Sequence, residues 1–227
     1  MSGDGCSCSG WGSIARWVRV VVVLLAVVLG GRASAGIGVA HVVPELGRAA
    51  ECLSARFLRT LARETGWTVR ESLDRVGVFD AVLDAHAVAI LSQSGGFELS
   101  EHEALRLRDW IESGGLLVLS GPCGSGDWLV SAERALERLY PERVAETVPD
   151  SHPLFSALFD LGGLVRTDGR PAELRAIERD GRIAVLLAPD GVNDTDGAGG
   201  GCCCCGGNEL RDAHLLLANL LVYALLG

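Results

Sequence analysis

Three features of the sequence predict an α/β domain with a mainly parallel sheet covered by helices on both faces. From Gly36 onward, short apolar runs alternate with amphipathic segments of helical period. Two of the runs, Ala87–Ser92 (AVAILS) and Leu116–Ser120 (LLVLS), are almost wholly apolar, as strands buried on both faces must be. Gly66, Gly114-Gly115 and Pro141 close three of the helical segments and so separate the elements.

Taken in order, Gly36–Val43 is expected to form the first strand. Leu46, Ala50, Leu53, Phe57 and Leu61 recur at spacings of four, three, four and four, which predicts a helix over Leu46–Glu64. Thr68–Glu71 is expected as the second strand and Ala87–Ser92 as the third. Ser100-Glu101-His102-Glu103 reads as a capping box: the serine oxygen and the glutamate satisfy backbone donors at a helix start. The fourth strand, Leu116–Ser120, leads through the loop Gly121–Asp127 into a helix with Leu129, Ala132, Leu136 and Leu139 on its buried stripe. Arg143–Arg182 is less regular, with a strand near Leu174–Glu178. Asp180-Gly181 suits a hairpin turn, because both residue types accept positive φ. Ile183–Ala188 is the last strand. A helix from Asn208 to Leu226, apolar on most sides, is expected to pack on the sheet. No internal repeat or second domain is predicted, so 36–227 reads as one domain.

Composition excludes several chemistries. The chain has 227 residues, and all 20 of its basic residues are arginine. Without lysine there is no Schiff base, no pyridoxal-phosphate anchor, no Walker P-loop and no kinase-type phosphate lysine. The formal charge of -9 argues against nucleic acid or an anionic membrane as the main partner. No cofactor is expected.

The first 35 residues read as a signal peptide. Arg16 and Arg19 precede the apolar run Val20–Leu29, and Ala33-Ser34-Ala35 offers the small residues of a cleavage site before Gly36. Ten apolar residues are fewer than the roughly 20 a spanning helix needs, so an uncleaved N-terminal anchor is the secondary reading and the only expected membrane contact. Cleavage would leave 17 arginines against 28 carboxylates, a charge of -11. It would also leave six cysteines: Cys52, Cys123 and the run Cys202, Cys203, Cys204 and Cys205. In an oxidising compartment these permit disulfides, with pairing open. The run sits in a glycine-rich stretch, 196–207, which reads as a low-complexity loop. Four successive thiols diverge and suit zinc poorly. Asp190, Asp194 and Asp196 suggest loose calcium binding, but Val192 and Cys203 stand where an EF-hand needs ligands.

Gly96-Phe97-Glu98-Leu99-Ser100, Cys123-Gly124-Ser125, Tyr140-Pro141-Glu142-Arg143, His152-Pro153-Leu154-Phe155 and Asn219–Leu225 stand in an order that resembles the bacterial family known as domain of unknown function 4159. The resemblance covers nearly all of 36–227. It implies a fold like that of class I glutamine amidotransferases, a flavodoxin-like three-layer sandwich, and association with the cell envelope, but no accepted reaction.

In a flavodoxin-like sheet of order 2-1-3-4, ligands bind beyond the carboxyl ends of the strands near the switch between the first and third. Three loops are expected there: His41–Glu45, Ser92–Gly96 and Gly121–Asp127. The candidate ligand-binding residues are His41, Ser92, Gln93, Ser94, Cys123, Gly124 and Ser125. Cys123, in a turn entering a helix, is also the candidate nucleophile of a cysteine-dependent amide hydrolase. The amidotransferase comparison implies a His-x-Glu base downstream of it, and none occurs; His152 precedes a proline and His214 lies within the last helix. The leading expectation is therefore an exported, non-catalytic domain that binds a small ligand or an envelope protein at this edge. The alternatives are the hydrolase and a structural accessory of an envelope assembly.

Overall fold

Residues 36–50, 52–122, 126–194 and 210–227 are described by a computed structural model. The predicted signal peptide, Cys123-Gly124-Ser125, Asp196 and the cysteine run lie outside these residues.

Seven strands form one sheet: β1 (Ala40–Val43), β2 (Asp74–Gly77), β3 (Val88–Leu91), β4 (Leu116–Ser120), β5 (Glu146–Thr147), β6 (Arg175–Arg179) and β7 (Arg182–Ala188). Their order is β2-β1-β3-β4-β7-β6-β5, parallel from β2 through β7 and antiparallel at the β6 and β5 edge. The strands β1, β3, β4 and β7 therefore all end on one side.

Among the described residues, four α-helices cover both faces: α1 (Arg56–Thr65), α2 (Glu101–Glu112), α3 (Gly126–Leu139) and α4 (Ala213–Leu226). Successive strand residues point to opposite faces. Val88 and Ile90 of β3, with Leu116 and Val118 of β4, join Phe57 and Leu61 of α1 and Leu217 and Leu221 of α4. Ala89, Leu91, Leu117 and Leu119 join Leu107 and Trp110 of α2 and Trp128 and Leu136 of α3. This two-sided burial explains why β3 and β4 carry no polar alternation. The closing helix α4 starts at Ala213 rather than Asn208 and is buried along most of its length, as its composition predicts.

Local signals hold where their partners are local. Ser100 Oγ accepts from Glu103 N at 3.3 Å, and Ser100 N donates to Glu103 Oε2 at 2.8 Å, completing the capping box at α2. Asp180 and Gly181 take φ of 52° and 79° in the β6–β7 hairpin. On α3 the buried stripe is Trp128, Ala132, Ala135, Leu136 and Leu139, with Leu129 only partly covered.

Two predicted elements are displaced. The second strand is Asp74–Gly77, not Thr68–Glu71; of the predicted segment only Val69 pairs, with Ile37. The first helix begins at Arg56, not Leu46. Pro44 and Gly47 close a turn through Gly47 N donating to Pro44 O at 2.9 Å. Beyond it Ala49 pairs antiparallel to Gln93 and Leu53 pairs parallel to Asp194. The predicted apolar stripe is split: Leu46 is 89% exposed, Ala50 and Leu53 are buried along this segment, and Phe57 and Leu61 are buried by α1. Residues 44–50 and 52–55 thus form a strap from the end of β1, across β3, to the segment following β7.

Candidate functional site

The strap lies across the carboxyl ends of the parallel strands, and most of the buried polar side chains described gather there: His41, Ser54, Ser92, Gln93, Glu103, Ser120, Asn193 and Asp194. Buried polar groups need partners, and all of these side chains except Gln93 can be followed to a hydrogen bond.

Ser92 is the hub. Its carbonyl accepts from Ala50 N at 2.9 Å and from His41 Nε2–H at 3.1 Å, while Ser94 N donates to Arg48 O at 2.9 Å. The Ser92 hydroxyl donates a long bond, 3.5 Å, to Asn193 Oδ1. Asn193 Nδ2 donates to Gly121 O at 2.9 Å, and Val192 N donates to Ser120 Oγ at 3.0 Å, so the segment after β7 is tied to the end of β4. Asp194 accepts from Ser54 Oγ at 3.3 Å and faces Arg56 Nη1 at 3.6 Å. Glu103 Oε1 accepts from Glu45 N at 2.8 Å, so the carboxylate that caps α2 also fastens the strap.

His41 is held neutral. Burial pushes its pKa below 6.5, outweighing the Ser92 carbonyl, which raises it, and the charge of Arg75 lowers it further. A histidine with a depressed folded pKa contributes stability that is complete above pH 6.5 and is lost as pH falls through the folded value, because the unfolded chain takes up the proton first. Urea melts from pH 7.5 to 5 are expected to show an acid-side slope that His41→Asn reduces by up to about 1.4 kcal/mol per pH unit, the slope for one proton. Equal slopes in the two proteins would show that His41 does not carry the effect.

One side chain stands outside this satisfied network. Gln93 is 1% exposed, and neither its Nε2 nor its Oε1 has a hydrogen-bond partner. Its carboxamide lies against the strap: a Cβ added to Gly47 would stand 2.5 Å from Gln93 Oε1.

The structure therefore brings three of the predicted site residues, His41, Ser92 and Gln93, to one place. Ser94 is exposed and takes part through its backbone. Cys123, Gly124 and Ser125 fall outside the described residues. Cys52, on the strap, is disulfide-bonded. Of the acidic residues considered for calcium, Asp190 accepts from Arg166 and Asp194 is engaged by Ser54 and Arg56. Sequence reasoning missed the places of Asn193, Ser120, Ser54 and Glu103 in the hydrogen-bond network at the carboxyl edge. The available signal for Asn193 was its place just past an apolar strand, the position where loops at a carboxyl edge begin.

A family model described as Domain of unknown function (DUF4159) matches residues 45–225, which include the strap after Pro44, Gln93 and Asn193. The chain belongs to the DUF4159 family. No curated protein matches it. Within this DUF4159 domain, the matched segment contributes every polar group of the edge except His41, which lies just ahead of it on β1. No helix among the described residues is long and apolar enough to cross a membrane.

Proposed function

We propose that this chain is an exported, non-catalytic binding domain that takes a small polar ligand at the carboxyl edge of its sheet, against Gln93. The observation that carries the reading is the unpaired carboxamide. A buried amide without partners is a standing cost of about 1–3 kcal/mol, and a fold that satisfies its neighbours so fully has a reason to leave one group free when a ligand completes it. The strand order β2-β1-β3-β4 supports a flavodoxin-like, amidotransferase-like reading of the fold, whose switch point lies between β1 and β3, where Gln93 sits. Entry requires the strap to part from β3, which breaks the Ala50–Ser92 and Ser94–Arg48 backbone bonds at about 1–3 kcal/mol together.

Binding is favoured over hydrolysis because His41 lies two strands from β4, about 10 Å away, and already donates Nε2–H to Ser92 O. Faster alkylation of Cys123 than of a free cysteine at neutral pH would restore the hydrolase reading. Export is supported by the oxidised state of Cys52, since disulfides persist in oxidising compartments. Cell fractionation should find the chain beyond the cytoplasm with Gly36 as its first residue; a cytoplasmic chain that retains residues 1–35 would remove this part of the proposal.

The decisive variant is Gln93→Leu, close in size and without polar atoms. It is expected to raise stability by about 1–2 kcal/mol in urea unfolding while abolishing ligand response. A thermal-shift screen of neutral polar small molecules supplies the second readout: hits on the native chain should vanish in Gln93→Leu. Hits retained in full by the variant would move the site away from this edge.

A further inference from the structure

The same carboxamide narrows the chemistry of the ligand, an inference that rests on the binding reading above. Gln93 offers an N–H donor and a carbonyl acceptor side by side, both unpartnered and buried. Pairing both at once requires a ligand edge that presents one acceptor and one N–H on the same side. A trans secondary amide points these groups in opposite directions and can satisfy only one. A carboxylate accepts but does not donate, so it would leave Gln93 Oε1 facing an anion.

Charge argues in the same direction. His41 is uncharged at neutral pH, and the carboxylate of Asp194 is already engaged by Ser54 and Arg56. An anion or zwitterion placed against Gln93 would be buried without compensation from these groups. We propose that the site takes a neutral ring amide, a lactam, cyclic imide or pyrimidine-type edge, whose syn carbonyl and N–H pair bidentately with the Gln93 carboxamide.

The test follows the side-chain amide protons of Gln93 by NMR in the 15N-labelled chain, the resonances being assigned by their loss in Gln93→Leu. Five probes are titrated: 2-pyrrolidinone and uracil as the lactam and nucleobase forms of the ring amide, N-methylacetamide as a trans amide, propionate as an anion and glycine as a zwitterion without a carboxamide. Saturable shifts are expected from at least one ring amide, with a dissociation constant about tenfold or more below those of the other three probes. Gly47→Ala adds a methyl 2.5 Å from Gln93 Oε1. It is expected to weaken the ring amide about tenfold while the rest of the spectrum keeps its native dispersion. A Gln93 response as strong to the trans amide, the anion or the zwitterion would overturn the ring-amide class and leave binding at Gln93 standing. No saturable response to any of the five would overturn the class, and the fate of the wider binding reading would then be decided by the thermal-shift screen.

Discussion

Gly191→Ala is expected to destabilise the protein by about 4 kcal/mol, which removes a large part of the stability of an ordinary domain. Two separate effects add at this position. Gly191 has φ of +80°, a backbone conformation that costs a residue with a Cβ about 1–2 kcal/mol. The added methyl would also overlap the carbonyl oxygen of Gly121, a backbone atom that cannot rotate away. That carbonyl is the acceptor for Asn193 Nδ2, so relief of the overlap must disturb the link between β4 and the segment after β7. Gly66→Ala is the control. Gly66 has a similar φ of +69° at the end of α1, but nothing lies within 4 Å of its missing Cβ, so only the conformational cost of about 1 kcal/mol applies. Urea midpoints for the two variants should differ severalfold in their shift from the native chain. Equal shifts would mean that the close approach of Gly191 to Gly121 is not what makes glycine necessary.

The elements that were legible in the sequence are those whose causes are local or whose burial is complete. β3, β4 and β7 announce themselves as apolar runs because both of their faces are covered, and the capping box at α2 needs only residues three apart. β2 was misplaced because Asp74–Gly77 is a half-exposed edge strand with a single buried residue, Val76, and so lacks the apolar signature that placed the central strands. The strap was read as a helix because Leu46, Ala50 and Leu53 keep helical spacing. What holds it in place is far away in the chain: Ala50 bonds to Ser92, and Ser54 reaches Asp194 across 140 residues. No periodicity within 44–55 can report such partners.

The candidate site divides along the same line. The convergence of the His41 and Ser92 loops followed from the strand order 2-1-3-4 that the family resemblance implies, with the strands themselves placed by their apolar runs. The distinction between Gln93 and Ser92 did not, since it depends on which donors and acceptors are already occupied after folding. Ser92 is saturated by His41, Ala50 and Asn193, whereas its neighbour is left free.

Trp128→Ala is expected to destabilise the protein by about 3–5 kcal/mol, the range for removing a fully buried large aromatic side chain. Trp128 is 0% exposed in the first turn of α3, immediately beyond the loop that follows β4. Its ring stands 6.1 Å from that of Phe97 between centroids, and Cε3 would lie 3.2 Å from a Cβ added at Gly121. One side chain thus supports both the loop after β3 and the loop after β4 from beneath. Removing it opens a cavity that the surrounding strand backbone cannot collapse to fill. The damage should also be directional: the Phe97 amide, which donates to Ser131 Oγ at 3.0 Å, should exchange with solvent faster, while the His41–Ser92 bond on the other side of β3 should keep its protection. Trp128→Phe, which keeps a ring in place, should recover more than half of the lost stability. If the alanine variant unfolds at the native denaturant midpoint, or if its exchange increases uniformly over the sheet, Trp128 is not the support for these two loops.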